Sequence, residues 1–130
     1  MAHKVNDEPN GCGVVVALAG HVDGDEIYRL NLELMADRSF RQWRYQIWDF
    51  SAVEEFEASF DDLRQFARQD AEAAKINPNQ RIAIIPRRAG SSHMDGVFHV
   101  YEAVWGAYES RTFHDLASAR AWASRAAEGK

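Results

Sequence analysis

The sequence predicts a single layered α/β domain with a four- to five-stranded, mostly parallel sheet and about four helices. Strand-like and helix-like segments alternate along 130 residues, and each intervening segment is long enough for the crossover that parallel strands require. Continuous apolar runs, GVVVALAGHV at 13–22 and RIAII at 81–85, are typical of strands that are covered on both faces. A chain of this length is expected to form one domain.

The first twelve residues differ in composition from the rest. They are polar and contain a Pro-Asn-Gly turn signal, so they form either one arm of a hairpin with the first strand or a disordered tail. The α/β domain is therefore expected to span residues 13–130. No repeat, linker or low-complexity tract divides that range.

Two helices and a strand are predicted next. Apolar side chains recur at helical spacing within 23–43, behind two acidic residues that favour a helix start. WRYQIWDF at 43–50 predicts the second strand, with Tyr45 and Ile47 on one face and the following aromatic residues on the other. SFDDLRQFARQDAEAAKIN predicts a helix in which Ser59 and Asp62 have capping-box spacing.

The remaining segments complete the alternation. After the third strand, MDGVFHVYEAVWGAYES predicts a helix, RTFHD at 111–115 a short fourth strand, and LASARAWASRAA a closing helix. Binding sites in parallel sheets form beyond the carboxyl ends of the strands. Two predicted loops, 49–59 and 86–94, are therefore the expected places for a functional site.

Composition is typical of soluble globular proteins. The chain is 46% hydrophobic and 27% charged, with a formal net charge of -5, and its arginines are scattered among carboxylates, which argues against nucleic-acid binding. Cys12 is the single cysteine, so an intramolecular disulfide is excluded and a reducing compartment is favoured. Because no signal-peptide pattern or membrane-spanning apolar run is present, we expect a soluble cytoplasmic protein.

The first predicted loop contains two candidate hydroxyls. Ser59, at a helix N-terminus, could accept a phosphate that the helix dipole stabilises, or it could simply cap the helix. Ser51 is either a turn residue or part of a pocket beside Asp49.

The second predicted loop is basic. Arg87 and Arg88 follow the third strand, and Ser91 and Ser92 precede a helix. Two guanidinium groups and a helix N-terminus could bind a carboxylate or a phosphate. The alternative is a solvated loop in which Ser92 caps the helix.

Aromatic residues are numerous for a small core. Tyr101, Trp105 and Tyr108 recur at intervals of three or four residues, so they could line an apolar ligand pocket or a homodimer face. Most aromatic residues with this helical spacing belong to a hydrophobic core.

No recognised catalytic motif is present, neither a nucleophile elbow nor a P-loop nor a dinucleotide fingerprint. His93, Asp95 and His99 have spacings that can bring two metal ligands together, but no third ligand is evident nearby. Cys12 has no sequence-marked activating partner. The sequence predicts a non-enzymatic protein without a metal or another cofactor.

Four stretches resemble the SpoIIAA-like, or STAS-type, group of small bacterial domains. They are GHVDGDEI, WDFSAVEEF, RIAII and RTFHDLASARAWA. The last is close to the pattern vFrdleeAlaWL of the uncharacterised SpoIIAA-like branch, whose fold also resembles the lipid-binding SEC14 module. The resemblance covers roughly residues 13–124.

The resemblance implies a binding or interaction module that acts through a partner protein. In the anti-sigma-factor antagonists of the group, an Asp-Ser-Ser-Gly turn at a helix start carries a serine that a partner kinase phosphorylates. Ser59 matches that serine, whereas Glu57, Ala58 and Phe60 replace the other three residues. If the module is regulatory, the resemblance implies reversible phosphorylation at Ser59. The alternative to an interaction module is a carrier or sensor of a small apolar or anionic ligand.

Overall fold

Five strands and three α-helices are present in the computed structural model, which describes residues 2–86 and 108–125. In chain order the elements are β1 (Ala2–Asp7), β2 (Gly13–Asp23), α1 (Gly24–Met35), a 3-10 helix (Phe40–Gln42), β3 (Tyr45–Glu57), α2 (Phe60–Ile76), β4 (Arg81–Ile85), β5 (Glu109–Thr112) and α3 (Leu116–Ala123). The predicted helix between the third and fourth strands lies almost entirely outside the described residues.

All five strands belong to one sheet with the spatial order β1-β2-β3-β4-β5. β1 runs antiparallel to β2, and the other three pairs are parallel. The predicted mostly parallel sheet is therefore confirmed. The polar N-terminal segment supplies the antiparallel strand, and its turn is closed by the Gly11 amide, which donates to the Glu8 carbonyl at 2.9 Å.

Helices cover both faces of the sheet. The larger core cluster lies between the sheet and helices α1 and α2, and the smaller one lies beneath α3. Tyr45 and Ile47 belong to the smaller cluster, and Trp48 and Phe50 to the larger one, as the alternation in β3 predicts. No helix in the described ranges is long and apolar enough to cross a membrane.

The structure corrects the predicted loop 49–59, because β3 continues to Glu57. The register with β2 steps from Ala17–Asp49 to Ala19–Ala52, and a second step follows between Gly20 and His21. Each step adds one residue to β3, as a β-bulge does. The Asp49 carboxylate accepts a hydrogen bond from the Ser51 amide at 2.9 Å, beside the first bulge.

β5 also differs from the prediction, since it spans Glu109–Thr112 rather than 111–115. Beyond β5 the Phe113 amide still donates to the Ile84 carbonyl at 2.9 Å. Asp115 then caps α3, accepting a hydrogen bond from the Ser118 amide at 2.7 Å.

A partly buried ion pair joins the N-terminal hairpin to α3. The Glu8 carboxylate accepts two hydrogen bonds from the Arg120 guanidinium, at 2.7 and 3.0 Å, and one from the Tyr45 hydroxyl at 3.0 Å. The Glu8 side chain is 4% exposed and that of Arg120 is 45% exposed. Burial raises the pKa of Tyr45 to about 12, so the phenol stays a donor to the carboxylate.

We expect Arg120→Met to lower the free energy of unfolding by about 1–3 kcal/mol, because it leaves the buried Glu8 carboxylate unpaired and Arg120 is partly solvated. The double variant Glu8→Gln/Arg120→Met should lose less free energy of unfolding than the two single variants lose in sum. Urea unfolding of the four proteins in this double-mutant cycle measures the coupling. Additive costs would mean that the pair contributes nothing of its own.

Candidate functional site

Helices α1 and α2 begin side by side at the carboxyl edge of the sheet. Asp23, at the end of β2, pairs in register with Glu57, at the end of β3, and only Ala58 and Ser59 separate β3 from α2. Gly24 lies so close to the Asp62 side chain that an added Cβ would overlap it. This contact fixes the spacing of the two helix N-termini.

Ser59 is the N-cap of α2. Its hydroxyl oxygen accepts a hydrogen bond from the Asp62 amide at 3.1 Å, and the Asp62 carboxylate accepts one from the Ser59 amide at 2.9 Å. The predicted capping box is therefore present, with aspartate in place of the usual glutamate. Ser59 is also exposed, so its hydroxyl remains accessible from solvent.

Carboxylates surround these helix starts. We call this surface the acidic edge; its members are Asp23, Asp25, Glu55, Glu57, Asp61 and Asp62. Asp61 is 87% exposed and pairs with Arg64, and Asp25 is 77% exposed and pairs with Arg29. Such exposed pairs contribute little to stability, so Asp61 and Asp25 are available to other charges.

His21 lies between two carboxylates of the acidic edge. Its Nδ1 is 3.2 Å from Glu55 and its Nε2 is 3.5 Å from Glu57. These three side chains offer ligand atoms within 4.8 Å of one another and could hold a metal ion. Because the two ring nitrogens face different carboxylates, the imidazole would have to leave one of them to complete such a site. All three are exposed, and exposed contacts of this kind contribute little to stability.

Phe60 is the exposed aromatic residue of this surface. It is the first residue of α2, and its side chain is 65% exposed, more than any other large hydrophobic residue in the described part of the chain. It is not among the buried residues of α2, the first of which is Leu63. Its place between the Ser59 cap and two aspartates is the signal that the sequence offers for an exposed aromatic residue.

The structure separates Asp49 and Ser51 from Ser59. Asp49 lies in the middle of β3 on the face that α3 covers, and Ser51 is exposed in the same strand. Six further strand residues, roughly 20 Å of extended chain, lie between Ser51 and the end of β3. These residues therefore do not form one pocket with the helix start.

Tyr108, predicted to line an apolar ligand pocket or a homodimer face, is a buried residue that also lines the cavity described below. It is 6% exposed, and its hydroxyl donates to the Asn77 carbonyl at 2.9 Å and accepts from the Gln80 amide at 3.2 Å. The other predicted site residues lie outside the described residues: Arg87, Arg88, Ser91, Ser92, Tyr101 and Trp105. The predicted pairing of His93, Asp95 and His99 also falls there.

A cavity of about 80 Å³ lies between the sheet and helices α1 and α2. Its wall is mostly apolar and includes Trp48, Phe50 and Phe66. Polar side chains also line it: Asn31, Gln46, Gln69, Asp70 and Tyr108. Local sequence patterns do not reveal this cavity, because its polar residues come from α1, β3, α2 and the residue before β5, which only the fold brings together.

Asp70 is a carboxyl group in an apolar setting. It is partly buried, and no hydrogen-bond or ion-pair partner for it is found within 2–86 and 108–125. Burial raises the pKa of Asp70 to about 7. In the sequence, Asp70 falls three residues after Ala67 and four before Ala74. A charged residue at helical spacing from two small apolar residues is the signal that the sequence offers.

No family model matches the chain, and no curated protein matches it. Solved structures do. The anti-sigma factor antagonist SpoIIAA in its unphosphorylated form has a TM-score of 0.58 at 14% identity, over 99% of this chain and 100% of that one. SpoIIAA in its phosphorylated form, a Bacillus cell fate determinant, has a TM-score of 0.55 at 14% identity over 86% and 91%.

A third structure is an uncharacterized protein of the DUF3478 family with a SpoIIAA-like fold, from Shewanella loihica PV-4. Its TM-score is 0.58 at 14% identity, over 94% of this chain and 92% of that one. The chain therefore has a SpoIIAA-like fold, which confirms the resemblance found in the sequence at the level of fold. The further likeness to SEC14 modules stays a prediction.

We expect Ser59→Ala to lower the free energy of unfolding by about 1 kcal/mol, because the Asp62 amide loses its acceptor at the helix start. Ser59→Asp, which keeps an acceptor at that position, should recover most of the loss despite its proximity to Asp62. Urea unfolding compares the three proteins. If Ser59→Ala unfolds like the wild type, the capping box does not stabilise α2.

We expect the free energy of unfolding to fall as pH rises from about 4 to about 7, because the folded protein holds the Asp70 proton more tightly than the unfolded chain. Asp70→Asn should remove this part of the pH dependence and exceed wild-type stability above pH 7 by roughly 2–4 kcal/mol. Glu72→Gln, a change on the exposed side of the same helix, is the control. Parallel stability–pH curves for wild type and Asp70→Asn would contradict the assignment.

Proposed function

We propose that this protein is a non-enzymatic interaction module that binds a partner protein through the acidic edge, with Phe60 as the apolar anchor of the contact. The observation that carries the proposal is the exposure of Phe60 amid carboxylates at the start of α2. An aromatic side chain left in water on a rigid element is typical of the central residue of a protein interface.

Charge defines the class of partner. Glu57 and Asp61 flank Phe60 in the chain, and Asp25 lies in the first turn of the neighbouring helix α1. Each of the three is more than half exposed. A partner with an apolar pocket and a basic rim would complement both features, and the charges would accelerate its association. The overall charge of -5 acts in the same direction.

The similarity to SpoIIAA supports an interaction role. Those structures are described as an anti-sigma factor antagonist and a cell fate determinant, in unphosphorylated and phosphorylated forms. The regulatory form of the proposal adds phosphorylation of the exposed Ser59 hydroxyl. A phosphate there would lie beside Asp62 and the other carboxylates of the acidic edge, so its main effect would be to repel a partner's acidic groups and attract basic ones.

If Phe60 anchors the contact, a photoreactive group at position 60 should crosslink to the partner protein. A photoreactive phenylalanine analogue at Phe60, expressed in the organism that carries the gene, should crosslink to one protein through a basic segment, which mass spectrometry of the crosslinked peptide identifies. The same analogue at Leu32, another exposed apolar residue at 45% exposure, is the matched control. Equal crosslinking from both positions, or none from position 60, would exclude Phe60 as the anchor.

With that partner purified, Phe60→Ala should weaken binding by about tenfold or more, as truncation of a central aromatic anchor does. Leu32→Ala should leave the affinity unchanged, and added salt should lower it for both variants. Calorimetric titration measures all three proteins. Unfolding curves of Phe60→Ala should match those of the wild type, because the side chain is exposed.

A further inference from the structure

The cavity beneath α1 and α2 has one polar wall group for which residues 2–86 and 108–125 supply no partner. Its apolar surface comes from aromatic and aliphatic side chains of β3, β4 and the two helices: Ile27, Phe50, Phe56, Leu63, Phe66, Ile82 and Ile84. Asp70 contributes a carboxyl group to the same wall. A charged carboxylate in such a setting is costly unless a cation or a hydrogen-bond donor meets it.

The amide groups on this wall already have partners. The Gln46 amide donates to Gln80 at 2.9 Å, and its oxygen accepts from the Trp48 indole at 2.9 Å. Gln69 accepts from Asn31 at 3.2 Å and donates to the Tyr28 carbonyl at 2.8 Å. A ligand that hydrogen-bonds to these groups would have to break bonds that hold α1, α2 and β3 together.

The Tyr108 hydroxyl is likewise occupied, as donor to Asn77 and acceptor from Gln80. Burial raises the pKa of the Tyr108 phenol, and the charge of the nearby Asp70 carboxylate raises this pKa as well. Within residues 2–86 and 108–125, Asp70 is therefore the cavity's polar side chain that has no partner.

We propose that the cavity binds a small apolar molecule that carries one cationic amine, with the amine against the Asp70 carboxylate and the hydrocarbon part among the aromatic side chains. Asp70 is partly exposed, so it places the amine at the cavity mouth while the apolar part enters. Phenyl and indole rings nearby favour a cation over an anion. An anionic ligand would meet the carboxylate with like charge.

Size limits the ligand. The volume of about 80 Å³ is smaller than the roughly 150 Å³ of an engineered apolar cavity that takes up benzene. A branched group of four carbon atoms suits it better than a lipid chain. We therefore choose isobutylamine as the probe, with isobutanol and isobutyrate as neutral and anionic molecules of similar shape.

The test is an NMR titration of the whole protein at a pH at which Asp70 is ionised. Isobutylamine should shift the indole signal of Trp48 and the amide signals of Gln69 in a saturable manner. Isobutanol should bind at least about tenfold more weakly than isobutylamine, because it forms no ion pair with Asp70. Isobutyrate should not bind.

Variants identify the group responsible. Asp70→Asn should weaken isobutylamine binding by about tenfold, to the level of isobutanol, whereas Glu72→Gln removes the same charge from the exposed side of α2 and should leave binding unchanged. Spectra of both variants show directly that they are folded. Wild-type affinity in Asp70→Asn, equal binding of amine and alcohol, or no saturable shift at Trp48 would each overturn the proposal, and none of these outcomes bears on the Phe60 surface.

Discussion

The arrangement of this domain depends on β3 keeping one row of side chains toward α1 and α2 over thirteen residues. Phe50, Val53 and Phe56 are all buried on that side, at intervals of three rather than two. Two extra residues in β3 relative to β2 make this possible, because each bulge restores the face that simple alternation would lose. The end of β3, and with it the position of Ser59 and Phe60, follows from that adjustment.

Buried polar residues connect β3 to the segments that precede β4 and β5. Trp48, Gln46, Gln80, Tyr108 and Asn77 form a continuous chain of hydrogen bonds across the sheet, and the Asn77 amide then donates to the carbonyls of two residues before β3. A fully satisfied buried network of this kind specifies one packing arrangement. Within the part of the chain that the structure describes, Asp70 is the polar group of the cavity wall without a partner, and an unsatisfied group of this kind calls for an explanation.

Local sequence patterns predict the fold well and the candidate sites poorly, for physical reasons. The strands, the faces of Tyr45 and Trp48, and the Ser59 cap follow from local patterns, and the structure has them. The extension of β3 past Asp49 was missed, because spacing of three contradicts the rule of alternation on which strand prediction rests. Gln46, Gln69 and Asp70 come together only through long-range packing, which no local pattern encodes.

The link between Glu8 and Arg120 spans 112 positions of the chain. A ribosome that has released β1 to β4 still holds the residues of α3, so Tyr45, Ile47 and Ala83 lack their cover at that stage. One side of the nascent sheet thus stays open to water, and to chaperones, until Trp122 and Arg120 emerge. Closure of that side therefore has to await α3, because the Glu8 carboxylate meets a guanidinium that is synthesised 112 residues later.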